Sequence, residues 1–286
     1  MPENKPTEYA NPDALVGTEW LAANLEDPGL RIIEVDEDTE AYSRSHVQGA
    51  IAWNWSTDLH HPLQRDYLDQ AGLSGLLARS GVEDDTTVIL YGGNNNWFAA
   101  YAYWLLRLRG FDNVKLLDGG RLKWNVEERE TTTDVPTISR TQFGISGAEI
   151  PKLRALRDDV LARVASGGTS FVDVRSPEEF SGEKLAPDHL PQEQPYVGGH
   201  VPGALNVPWS KAANEDGSFR SAAELSELYQ AAGLDMNGPV VSYCRIGERS
   251  AHTWFVLHEL LGMNQVANYD GSWTEYGSLV GAPVER

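Results

Sequence analysis

The chain has 286 residues, 41% of them hydrophobic, which is enough to bury one large core or two of ordinary domain size. Its 23 Lys and Arg against 42 Asp and Glu give a net charge of -19, which repels a polyanion over most of the surface; no nucleic acid partner is expected, although a small anion can be held where a few arginines and backbone amides converge. The single cysteine permits no intramolecular disulfide, and without a Cys-x-x-Cys pair or histidines at ligand spacing no metal site is expected.

Met1 to Asp13 is polar and proline-bearing, with no apolar stretch behind a basic region, so a cytoplasmic location is the expectation. Glu34-Val35-Asp36 and the turn His46-Val47-Gln48-Gly49-Ala50-Ile51 come next. Thr87 to Tyr91 is an apolar run that reads as a buried strand; Gly92-Gly93-Asn94 follows, then a helical pattern closing at Gly110, then Asp118-Gly119-Gly120. The longest apolar run, Trp97 to Leu106, is well short of the roughly 20 residues that cross a bilayer, so no membrane span is expected. Glu127 to Ser146 is rich in Glu, Thr and Ser and reads as an exposed connection.

The second half repeats the first. Asp173-Val174-Arg175 answers Glu34-Val35-Asp36, and Gly199-His200-Val201-Pro202-Gly203-Ala204 answers the turn at His46. Pro239 to Tyr243 is again an apolar strand, followed by Cys244, a helix closing at Gly262, and Asp270-Gly271-Ser272. Tyr91 and Tyr243, Gly110 and Gly262, and Asp118 and Asp270 are each separated by 152 positions. An insertion of about fifteen residues between Phe180 and His200, bearing Pro187, Pro191 and Pro195, reads as a surface loop. Short apolar strands alternating with helices such as Ala222 to Ala232 imply an α/β fold: two tandem domains, each a mainly parallel sheet flanked by helices. The expected division is a domain at 9–130, a linker at 131–146 and a second domain at 147–286.

Cys244-Arg245-Ile246-Gly247-Glu248-Arg249 lies between the strand ending at Tyr243 and a helix expected over Ser250 to Leu261. A short loop from a strand's carboxyl end into a helix's amino end directs backbone N–H groups and the positive end of the helix dipole at its centre. With Arg245 and Arg249 adding charge, this setting favours thiolate and makes Cys244 a nucleophile at neutral pH. A lone cysteine without such neighbours would read as a small buried hydrophobe.

These motifs, with Asp173-Val174-Arg175-Ser176-Pro177 and Tyr269-Asp270-Gly271-Ser272-Trp273, resemble the tandem-domain rhodaneses, the thiosulfate sulfurtransferases, over nearly the whole chain. The resemblance implies a non-catalytic first domain, in agreement with Gly92 at the position of Cys244. It further implies a catalytic second domain in which Cys244 takes the outer sulfur of thiosulfate as a persulfide and passes it to cyanide or another thiophilic acceptor. No cofactor or metal enters that chemistry. Arg249 and then Arg245 are expected to bind the donor's sulfonate, because guanidinium suits a flat array of anionic oxygens. Ile246, Gly247 and Glu248 complete the binding loop, with Arg175 and Asp173 supporting it. Glu248 could pair either loop arginine or face water, and His46 and His200 are expected to be structural. Some family members, notably the mammalian ones, carry cations at the positions of Ile246 and Glu179, which this chain lacks.

Three alternatives stay open. A 3-mercaptopyruvate sulfurtransferase shares the nucleophile, but small loop residues stand there where this chain has Arg245. A Cys-dependent phosphatase or arsenate reductase uses Cys-x5-Arg, one residue longer than Cys244 to Arg249. A sulfur carrier would pass its persulfide only to a protein partner, a protein sulfur acceptor.

Overall fold

The computed structural model describes residues 9–187 and 194–286. They form two compact units. One comprises Pro12–Pro151 with Ala213–Phe219; the other comprises 9–11, Lys152–Ala212 and Arg220–Arg286. In the first, strands β1 (Leu15–Val16), β2 (Leu30–Glu34), β3 (Ile51–Ala52), β4 (Thr87–Tyr91) and β5 (Val114–Leu117) make a parallel sheet in the order β1-β5-β4-β2-β3. In the second, β6 (Arg154–Ala155), β7 (Ser170–Asp173), β8 (Leu205–Asn206), β9 (Val240–Tyr243) and β10 (Val266–Tyr269) repeat that order as β6-β10-β9-β7-β8. The chain is thus an α/β protein built from one architecture used twice.

The central strands are apolar on both faces because helices cover both. Val88, Ile89, Leu90 and Tyr91 of β4 are all buried, as are all four residues of β9. One core gathers Ile32, Ile89, Leu117 and Trp124; the other gathers Phe171, Val241, Tyr243, Trp273 and Tyr276. Each such side chain, fully removed from water, contributes about 1.5–3 kcal/mol. The helix Trp97–Leu108 is buried almost all round, which explains the ten-residue apolar run without any membrane. Among the described residues no helix is long and apolar enough to cross one.

The equivalent turns are tied down identically in the two units. The Tyr91 hydroxyl accepts the Val47 N–H at 3.0 Å, and the Tyr243 hydroxyl accepts the Val201 N–H at 3.1 Å. His46 stacks on Tyr42, and His200 on Phe180, each with Nδ1 bonded to the carbonyl oxygen of the residue it stacks on. Residues 131–146 run along the first unit: Thr132 bridges to His46, the Thr141 N–H donates to Ala78 O, and the Ile145 N–H donates to Ser74 Oγ. Of the inserted loop, Pro187 and Pro195 stand in irregular backbone, while Pro191 lies outside the described residues.

Tyr243→Phe should leave the buried Val201 N–H without its acceptor and lower unfolding stability by about 1–3 kcal/mol. Urea denaturation checks this; an unchanged midpoint would remove the turn's dependence on the hydroxyl.

Candidate active site

The loop after β9 is shorter than the sequence suggests, because the helix begins at Glu248 rather than Ser250. Gly247 is its N-cap at φ +105, a conformation L side chains rarely adopt, and a Cβ there would lie 2.7 Å from Asp270 Cα. The helix therefore starts immediately after the glycine, and its last turn widens into a π-helix over Val256–Leu260. The amino end that results sits beside the thiol. The Gly247 N–H donates to Cys244 Sγ at 3.1 Å, and Cys244 is completely buried.

A second anchor comes from the exit of β10. The Cys244 N–H donates to Ser272 Oγ at 3.0 Å, and that hydroxyl donates to Tyr269 O. The Trp273 and Thr274 N–H groups donate to the carbonyls of Cys244 and Arg245, both at 3.0 Å. Ser272 adopts φ +51, an uncommon conformation for a serine, and its two hydrogen bonds oppose that strain. Asp270, next in the motif, is held by a bidentate Arg154 at 2.8 and 3.0 Å.

Three arginines lie buried around this loop, and their partners differ. Arg175 is bonded to both oxygens of Asp173 and to Gly199 O, and its guanidinium lies 4.8 Å from the Trp273 ring centroid. It links the end of β7, the His200 turn and the Ser272 segment. Arg249 makes two parallel bonds to Glu179, at 2.8 and 2.9 Å. Burial works to push the Glu179 carboxyl up, but Arg249's hydrogen bonds and charge hold it below the ordinary glutamate value. Glu179 also caps its own helix, Pro177–Ser181, by accepting the Ser176 N–H.

Arg245 is different. It is 1% exposed, and its Nε, Nη1 and Nη2 have no hydrogen-bond partner among the described residues. Burial lowers its pKa, the Glu248 charge acts against that shift, and the neighbouring Arg249 charge adds to it. A guanidinium nevertheless stays protonated in a protein, so this is a buried cation without a hydrogen-bonded counterion. Glu248 is buried, and its charge acts on Arg245 and Arg249 alike. Ile246 is partly exposed. No group of three or more metal-ligating side chains occurs among the described residues.

The first unit has the same loop with a different filling. The Arg121 N–H donates to Gly92 O, as Trp273 does to Cys244 O. Asn94, Asn95 and Asn96 take left-handed conformations, and the Asn96 carboxamide accepts the Gly92 N–H and donates to Leu117 O. That amide does what the Ser272 hydroxyl does in the second unit. At Gly92 a Cβ would lie 2.2 Å from Val35 O, so there is no room for any side chain.

The structure thus brings Cys244, Arg245, Gly247, Glu248, Arg249, Arg175 and Asp173 into one neighbourhood. In sequence alone Ser272 has no assigned role and Glu179 stands only where some family members carry a cation. Two sequence signals point to them: the Ser176-x-x-Glu179 capping pattern, and the 152-position offset that sets Ser272 against a glycine, Gly120, both of which have positive φ in the structure.

A rhodanese-like domain model matches the chain twice, at residues 17–127 and 156–279. A Mycolicibacterium smegmatis protein named "Putative thiosulfate sulfurtransferase" is 56% identical over 277 residues, covering 96% of this chain and 99% of that protein. The Thermus thermophilus sulfur carrier protein TtuD is 46% identical, covering 97% and 98%. Among solved structures, the Escherichia coli 3-mercaptopyruvate sulfotransferase SseA is 25% identical with a TM-score of 0.76, covering 91% of this chain and 98% of that one.

Glu179→Gln should cost about 3–5 kcal/mol at neutral pH by removing the carboxylate charge that balances the buried Arg249, and Glu179→Gln with Arg249→Met should recover most of it. Because the folded-state value lies below 4.5, the native advantage is complete above that pH and lost as pH falls through the lowered value. Urea midpoints of the three proteins between neutral and acid pH check both statements; equal midpoints at neutral pH would show the pair to be dispensable. Gly92→Cys should destabilise the first unit and create no second reactive thiol, so labelling by iodoacetamide in a Gly92→Cys, Cys244→Ser protein at the rate of native Cys244 would contradict the crowding at Val35.

Proposed function

This chain belongs to the rhodanese family of sulfurtransferases, and we propose that it moves sulfane sulfur from thiosulfate to a thiophilic acceptor through a persulfide on Cys244. The carrying observation is the Arg245 guanidinium, buried and without a hydrogen-bonded partner among the described residues, one residue from the only thiol and in a loop whose Gly247 N–H already donates to that sulfur. A buried unpaired cation is costly, and an anionic donor would neutralise it.

In the first half-reaction the Cys244 thiolate attacks the outer sulfur of thiosulfate. The donor's S–S bond breaks, the Sγ–S bond forms, and sulfite leaves with the electron pair. In the second, cyanide or a thiolate attacks the outer persulfide sulfur and Cys244 departs as thiolate. Loop N–H groups and the helix amino end stabilise negative charge on sulfur in both states. Cys244 is fully buried, so the donor reaches it only as neighbouring side chains move.

The sequence ranks Arg249 ahead of Arg245 as the donor's cation; we propose the reverse, since Glu179 engages both terminal nitrogens of Arg249. Arg249 and Glu248 then position the loop, and Arg175 with Asp173 braces it. A bulky cation at position 245 also favours a sulfonate donor over an α-keto acid. The likeness to the Thermus sulfur carrier supports a second reading for the acceptor, a protein thiol in place of cyanide.

Brief incubation with thiosulfate should add one sulfur atom to the native chain and none to Cys244→Ser, by intact mass, and cyanide should remove it. Arg245→Gln should raise KM for thiosulfate by about 10- to 100-fold with a smaller effect on kcat. A native chain that gains no sulfur, or a Cys244→Ser chain that does, would end this reading.

A further inference from the structure

The loop's surroundings contain a second unmet donor. Thr274 is 6% exposed, and its Oγ1 has no hydrogen-bond partner among the described residues. Its own N–H donates to Arg245 O at 3.0 Å, which ties the two residues together across the loop. Ser272, at the start of the same helix, satisfies its hydroxyl on the Tyr269 carbonyl three residues earlier, whereas the Thr274 hydroxyl makes no such bond among the described residues. Burying a hydroxyl without a partner is unfavourable, as is burying the guanidinium of the residue whose carbonyl Thr274 binds. The two residues answering them in the first unit, by the 152-position offset, are Leu122 and Gly93, neither of which has a polar side chain. The pair of unmet donors therefore occurs only in the copy that has a thiol.

We propose that Thr274 is a specificity-determining residue: its hydroxyl and the Arg245 guanidinium together bind the anionic oxygens of the sulfur donor, a sulfonate-bearing thiol such as thiosulfate. This rests on the donor reading above. A tetrahedral –SO3 group presents three oxygens that share the charge, enough to accept from a hydroxyl and a guanidinium at once. Thr274 makes no covalent change; it holds the group that leaves as sulfite.

Sulfite, the leaving product, is the probe, because it occupies the same contacts without turning over. Its dissociation constant is measured by calorimetry for native protein, Thr274→Val and Thr274→Ser, beside the melting temperature of each without ligand. We expect Thr274→Val to weaken sulfite about 5- to 30-fold, Thr274→Ser to restore binding, and KM for thiosulfate to follow while kcat changes little. The unliganded Thr274→Val protein should melt no lower than native, since no hydrogen bond within the protein is lost. Sulfite binding that is absent from the native chain, or equal in native and Thr274→Val, overturns the assignment. So does a marked fall in the unliganded melting temperature, which would mark the hydroxyl as a structural one. Persulfide formation by the native chain is read separately by mass, so sulfur transfer can stand while the role of Thr274 falls.

Discussion

The cysteine loop is held by the strand next to its own. Two backbone bonds, from the Trp273 and Thr274 N–H groups to the carbonyls of Cys244 and Arg245, clamp the exit of β9 to the exit of β10. The Ser272 hydroxyl takes up the Cys244 N–H from the same side. With the outer edge of the loop engaged in this way, the Gly247 N–H turns inward to the sulfur. A parallel sheet makes the arrangement available, because all its strands end on one side and its helices begin there.

Charge completes the site unevenly. In a chain of net charge -19, three arginines are buried close to one thiol. Asp173 balances Arg175 and Glu179 balances Arg249, each through paired hydrogen bonds that offset desolvation. Those two act as internal braces. Arg245 has no such acid bonded to it, and the imbalance gives the site its affinity for an anion in our reading.

The first unit separates what the fold needs from what the chemistry needs. It keeps the strand order, the tyrosine that accepts the turn's N–H, the stacked histidine and the clamp onto the loop carbonyl. Its central carboxamide, Asn96, closes the loop that Ser272 and Cys244 share in the second unit. The cation moves as well: Arg121 pairs with Glu34 and Asp36 from the position that Trp273 occupies under Arg175. Such a core tolerates exchange of one polar solution for another provided every buried group is met.

Much of this was legible in the sequence. The apolar runs at Thr87 to Tyr91 and Val240 to Tyr243, the repeat and the Gly247 beside Cys244 determined the α/β class, the duplicated architecture and the position of the thiol, because strand burial and helix starts are local properties written in neighbouring residues. Which arginine is free and which is spent was decided only by the tertiary structure. Glu179 is 70 positions from Arg249, and Thr274 meets Arg245 only because β10 lies beside β9. Whether a buried charge finds a partner depends on distances of a few ångströms between segments remote in sequence, and no local pattern carries that information.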